Sequence, residues 1–156
     1  MSDNGGNGCK DVTIESGGVC LVEGSLWGCT KATNGINVKP GGKCIANDAW
    51  GSSGGYSCEG NYDGAEAICN NSRYCGWRST FDNGSVCVGT GGTGACYGSY
   101  FKNGSICYAN GPGACSGYVS ADQYYDETSC CCGPNCPKKA PKCSDRGITC
   151  DPKYLS

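Results

Sequence analysis

Histidine is absent from this sequence, methionine occurs once, and Leu, Ile, Val and Phe together number 18 of 156 residues. That is about 12%, below the roughly 20% at which a chain ordinarily sustains a packed core. Each shortage excludes something. Without histidine a serine or cysteine nucleophile lacks its customary base, and c-type haem attachment through Cys-x-x-Cys-His is impossible. No Cys-x-x-Cys occurs either, so the paired-thiol spacing of structural zinc sites is missing and no metal or other cofactor is expected. No run approaches the ~18 apolar residues of a transmembrane helix, so no membrane span is expected. The polar opening MSDNGGNGCKD does not read as a signal peptide. An acidic body with no basic stripe argues against nucleic acid as a partner.

What the chain has instead is cysteine, 17 of them, with 28 glycines and a formal net charge of only −2. Disulfides are expected to stand in for the missing core, and cross-links on this scale persist in oxidising surroundings, which predicts an extracellular or cell-surface location. Seventeen is odd, so one thiol is left over, free or shared between chains. Cys9 and Cys150, which lie outside the repeats described next, are the candidates.

Residues 81–100, FDNGSVCVGTGGTGACYGSY, and 101–118, FKNGSICYANGPGACSGY, repeat Phe, Asn-Gly-Ser and the first Cys at a spacing of twenty. A period of this length indicates small stacked units rather than one globular core. The same two-cysteine unit can be traced more loosely as Cys69/Cys75, Cys44/Cys58 and Cys20/Cys29, about five units in all. Two of the units fold on paper into antiparallel hairpins. A turn at Gly24-Ser25 sets Cys20 opposite Cys29 and puts Val22 and Trp27 on the cysteines' face. A turn at Gly91-Gly92 sets Cys87 opposite Cys96. In that register the paired Cα atoms would lie about 4.5 Å apart, near the lower end of the disulfide range. Cys107/Cys115 needs a three-residue loop or a bulge, and an alternative linking one unit to the next, as Cys96 to Cys107, stays open. The expected fold is therefore all-β with irregular connections, a disulfide-rich array of short β-hairpin repeats with little hydrophobic core.

Three segments follow: a flexible start over 1–11, the Cys/Gly-rich repeats over 12–132, and a Pro/Lys-rich tail over 133–156. The adjacent Cys130, Cys131 and Cys132 point to alternate faces if extended, which makes them a tie point between repeats and tail. The tail carries a net charge of +3 against −5 for residues 1–132. This split is either solvated surface, as charge runs usually are, or the basis of a head-to-tail attraction between subunits. Tyr62, Trp77, Tyr100 and Tyr118 trail the second cysteine of successive units and would form one aromatic file if the units stack. They either cover bridges and glycine backbone or form an exposed row able to stack on polysaccharide.

The combination NGSxC, GACxG and SCCCGPNCPKKAPKC over 81–143 resembles the cysteine- and glycine-rich C-terminal head regions of bacterial type IV pilin-like secreted proteins. The matching positions in the closing motif are Cys130, Cys131, Gly133, Cys136, Pro137, Pro141 and Cys143. The hydrophobic N-terminal helix of a pilin is not in this sequence, and a third adjacent cysteine and a further tail with Cys150 are added. The resemblance implies a surface or appendage role without catalysis. Self-association into an oligomer or filament is the expected partnership, polysaccharide binding is the alternative, and a secreted inhibitor or toxin with a protruding loop over 48–57 is a third reading.

Overall fold

Asn-Gly-Ser units that recur at a fixed period can align side by side, and that is how the chain is built. The computed structural model describes the backbone of residues 2–3 and residues 12–24, 35–49, 57–92, 94–116 and 124–155. Among these described residues, thirteen short strands form two parallel sheets. One has seven strands: β1 (Ser2–Asp3), β3 (Val19–Glu23), β5 (Lys43–Asn47), β7 (Glu66–Asn70), β9 (Val86–Thr90), β11 (Ile106–Ala109) and β13 (Cys130–Cys132). The other has six: β2 (Thr13–Ile14), β4 (Ile36–Val38), β6 (Gly60–Asp63), β8 (Thr80–Asp82), β10 (Tyr100–Phe101) and β12 (Tyr124–Tyr125). Each coil runs through one strand of the six-stranded sheet, a short corner, one strand of the seven-stranded sheet and a longer return. The protein is a β-solenoid stabilised by disulfides.

The all-β, repeat and disulfide-rich character stands, but the antiparallel hairpin does not. Strand β9 does not fold back at Gly91-Gly92; its partners are β7 and β11, with Cys87 beside Ala67 and Cys107. An isolated two-stranded hairpin leaves backbone groups unpaired on both edges and is marginal in water. Coiling gives every interior strand two neighbours and sets Ile106 against Val86 and Cys107 against Cys87, so that the repeated residues align. Gly91 and Gly92 still turn the chain, both at φ 68°, but toward the opposite sheet.

The interior is narrow, which is why few hydrocarbons suffice. From the six-stranded sheet an inward column runs through every described coil, Ile14, Val38, Tyr62, Phe81, Phe101 and Tyr125 in register, and β4 adds Ile36 as a second buried residue. Strands lie about 4.8 Å apart, so the rings must stack at that pitch. Tyr62–Phe81 centroids are 4.6 Å apart, Phe81–Phe101 4.8 Å and Phe101–Tyr125 5.2 Å. Facing them are two columns from the seven-stranded sheet. One is Cys20, Cys44, Ala67, Cys87, Cys107 and Cys131, and the other is Val22, Ala46, Cys69, Gly89 and Ala109. A Cβ placed on Gly89 would lie 2.7 Å from the Ala95 Cβ and 2.8 Å from the Ala114 Cβ, so the core admits nothing larger there.

The return segments after β5, β7, β9 and β11 are each tied to their own strand across this core by one bridge: Cys44–Cys58, Cys69–Cys75, Cys87–Cys96 and Cys107–Cys115. Cα separations of 5.7 to 6.1 Å replace the closer approach expected of a hairpin, because the partner cysteine sits on a turn and not on a facing strand. Cys69 stands two positions further along its strand than Cys87 does, in the column of Gly89. A shift of two preserves the inward face, and its loop is correspondingly shorter, with a sequence separation of 6 against 9.

At the corners the ladder bonds give way to buried serines. Ser85 Oγ accepts from the Ala65 N–H at 3.0 Å and Ser105 Oγ from the Ser85 N–H at 3.1 Å. On the return side, Ser79 and Ser99 do the same for the N–H groups of Gly60 and Ser79, both at 3.0 Å. A buried N–H without such a partner would cost about 1–3 kcal/mol. Asn83 and Asn103 turn the corner at φ 53° and 49°, and their amides donate to Asp63 and Asp82 of the preceding coil, each at 2.7 Å.

Candidate functional site

The C-terminal end of the solenoid is where the chain departs from its repeat. Successive side chains of β13 face opposite ways. Cys131 points into the core and bonds to Cys136, while Cys130 and Cys132 point outward and bond to Cys143 and Cys150. Three adjacent cysteines thus reach three separate parts of the tail. Between these anchors the tail closes the sheet edge, with the Cys131 N–H donating to the Pro141 carbonyl at 2.8 Å and the Cys143 N–H to the Cys131 carbonyl at 3.1 Å. An edge strand left open would offer those groups to another chain.

Beyond Cys143 the tail folds over the outer face of the seven-stranded sheet. That face carries an apolar row, Leu21, Ile45, Ile68, Val88 and Tyr108 in register, and the tail buries its C-terminal half. Tyr154 packs on Tyr108 with centroids 5.0 Å apart, and the Asp151 N–H donates to the Tyr108 hydroxyl at 2.9 Å. The Tyr154 hydroxyl donates to Glu66, which also pairs with Lys43 at 3.5 Å. Burial and the adjacent Glu66 carboxylate push the Tyr154 phenol well above its ordinary value.

On the other side of the same end lies an open groove of about 590 Å³. Its walls are Tyr124, Tyr125 and Ser116 on one side and Pro137, Lys138, Lys139, Pro141 and Arg146 on the other. Arg146 is held there because its Nη1 donates to the carbonyls of Asp126 and Ser129. Beside the groove, Asp126 accepts from the Asn103 N–H at 2.7 Å and from the Thr128 N–H and hydroxyl at 2.9 and 2.8 Å. Desolvation works to raise its pKa, but these hydrogen bonds outweigh it and hold the carboxyl at about 2.

The aromatic residues singled out in the sequence do not form one file. Tyr62 is buried in the interior stack, its hydroxyl donating to the Cys58 carbonyl at 2.5 Å, and burial, with Glu59 adding to it, raises its pKa. Trp77 is half-buried beneath Arg78, whose Cζ sits 4.3 Å from the ring centroid. Tyr100 is 51% exposed on the outer face, and Tyr118 lies outside the described residues. The reason is register. Tyr62 aligns with Phe81 and Phe101 and not with Tyr100, and a slip of one residue turns a side chain to the other face. The exposed partner of Tyr100 is Tyr124, its neighbour across β10 and β12 at 5.8 Å. Tyr124 was missed because Tyr124-Tyr125 stands in no repeat unit; the interval of twenty-four residues that aligns it with Tyr100 differs from the period of twenty seen upstream.

Cys150, a candidate for the unpaired thiol, is instead bonded to Cys132 and is neither free nor available to another chain. Cys20 is disulfide-bonded, while Cys29, its expected partner, and Cys9 lie outside the described residues. Two groups of sulfurs approach within 4.8 Å, Cys96/Cys107/Cys115 and Cys132/Cys143/Cys150. All six are in disulfides, and only a thiolate ligates a metal, so the oxidised protein offers no metal ligand at these places. No helix among the described residues is long and apolar enough to cross a membrane. No protein-family model, curated protein or solved structure matches the chain.

Proposed function

We propose that this is an extracellular, non-catalytic structural protein, a subunit or head of a surface filament, appendage or adhesive layer. The observation that carries the reading is the distribution of cross-links. Four successive coils each hold one bridge through the core, and three more fasten the closing tail. A chain that must endure outside the cell with little hydrocarbon to bury gains from such spacing, because each short loop closed contributes roughly 2–3 kcal/mol by restricting the unfolded state. Electron microscopy of native material, with non-reducing electrophoresis beside it, is the test. Filaments or covalent multimers are expected; monodisperse particles and a clean monomer band would remove the assembly role.

A second reading is favoured by one feature, the exposed Tyr100–Tyr124 pair. Two adjacent rings on a sheet surface suit the faces of a polysaccharide, since an aromatic ring combines a large apolar face with a polar tip. Pull-down on insoluble glycans that is lost in Tyr100→Ala or Tyr124→Ala favours this binding role; no retention of the unaltered protein removes it.

A further inference from the structure

We infer that the groove at the C-terminal end, together with the Tyr100–Tyr124 pair, binds a polyanionic polysaccharide, one bearing uronate or sulfate groups. This rests on the carbohydrate reading above and deepens it by naming the class of glycan.

Three observations meet here. Among the described residues the groove is lined by three cations, Lys138, Lys139 and Arg146, and by no carboxylate. The sequence that supplies it, 133–156, has a net charge of +3 although the whole chain is at −2. The positive charge is therefore local, and it attracts anions that the rest of the surface repels. The groove also opens beside aromatic surface. Tyr124 belongs both to its wall and to the exposed Tyr100–Tyr124 pair, so a chain lying in the groove passes from cations onto two tilted rings. Three carboxylates stand close in sequence to groove residues, Asp126, which keeps its charge while accepting from the Asn103 N–H and from Thr128, and the exposed Glu127 and Asp145, but none of them lines the groove.

The walls are also held in place. Cys131–Cys136 anchors the segment just before Lys138 and Lys139, and Cys130–Cys143 anchors the segment just before Arg146. The Arg146 guanidinium is fixed by two backbone carbonyls. A site so constrained loses little side-chain and loop freedom when a ligand arrives. An acidic peptide would satisfy the cations but not two rings disposed along a sheet surface, whereas a sugar chain presents anionic groups and flat apolar faces together. The geometry favours the polysaccharide.

The test uses the full oxidised chain and polygalacturonate as probe, with dextran as an uncharged glycan and polyglutamate as an acidic peptide, read by affinity electrophoresis and calorimetry. Polygalacturonate should bind most tightly. Its affinity should fall at least about tenfold when ionic strength rises from about 0.01 M to about 1 M, as the screening length shrinks from roughly 30 Å to roughly 3 Å. The pair Lys138→Glu/Lys139→Glu should weaken binding about tenfold or more, Lys138→Arg/Lys139→Arg should preserve it, and Tyr124→Ala should weaken it about three- to tenfold. Lys153→Glu, an exposed reversal in the separate cleft on the opposite face, should change it less than about twofold. The inference is overturned if polygalacturonate is not retained, if polyglutamate binds more tightly, or if Lys153→Glu costs as much as the double reversal. Dextran binding that depends on Tyr124 but not on the lysines would overturn it too, while leaving the carbohydrate reading standing.

Discussion

Removing one interior bridge is the direct test of whether sulfur has replaced hydrocarbon in this protein. In the double variant Cys87→Ala/Cys96→Ala a central coil loses its tie, both cysteines being fully buried and separated by 9 in sequence. The chain-entropy relation for a loop of that size gives ~2.7 kcal/mol. Two sulfur-sized voids, each comparable to a methyl group, add about 1 kcal/mol apiece, for a total of roughly 4–5 kcal/mol. At about 2–4 °C per kcal/mol for a chain of this length, Tm should fall by roughly 9–19 °C. Stacked repeats contact only their neighbours, so hydrogen exchange should accelerate first in β7, β9 and β11 and last in the cross-linked tail. A Tm within about 3 °C of the unaltered protein would refute the reasoning, because the aromatic stack and the parallel ladders would then hold the coil unaided. The Cys69–Cys75 bridge, with its separation of 6, gives ~2.4 kcal/mol by the same relation. Its removal should therefore differ little, and a large difference would point to strain or repacking and not to loop closure.

Gly89→Ala should destabilise by about 1–3 kcal/mol through overpacking, since its Cβ would meet those of Ala95 and Ala114 at under 3 Å; a denaturant midpoint equal to that of the unaltered chain would show the core to be roomier than described. Tyr154→Ala uncovers Tyr108 and Val88 and should cost about 2–3 kcal/mol, with faster exchange across β9 and β11; unchanged exchange there would mean the tail rests on the sheet without stabilising it. Hydrogen bonding holds the Asp126 carboxyl at about 2 in the folded protein, below the 3.8 of an unperturbed aspartate. Its contribution is therefore present above pH ~4 and is lost as the pH falls through 4 toward 2. Asp126→Asn should remove that part of the acid dependence, and a carboxyl titrating near its ordinary value by NMR would contradict the hydrogen bonding described.

Much of this organisation could be read before folding. The identical spacing of Asn83-Gly84-Ser85 and Asn103-Gly104-Ser105 announced a repeat, and the repeat placed Cys87 and Cys107 in equivalent positions. What it concealed was the direction in which the chain closes. Cys96 approaches Cys87 whether the intervening residues form a hairpin or the return of a coil, and the local sequence is compatible with both. The ladder serines were in plain view in the same motif, but their value as acceptors for the preceding coil exists only once coils are stacked.

Composition and spacing alone determined that the chain is all-β, repetitive and held by disulfides, because so few apolar side chains leave no other source of stability and equal spacing makes equal units. Only the tertiary structure decided that the strands run parallel, that Tyr62 joins Phe81 and Phe101 inside while Tyr100 faces out beside Tyr124, and that Cys150 closes onto Cys132. All three depend on long-range register, and register is set when coils of unequal length are stacked so that their inward faces coincide; no single unit contains that information.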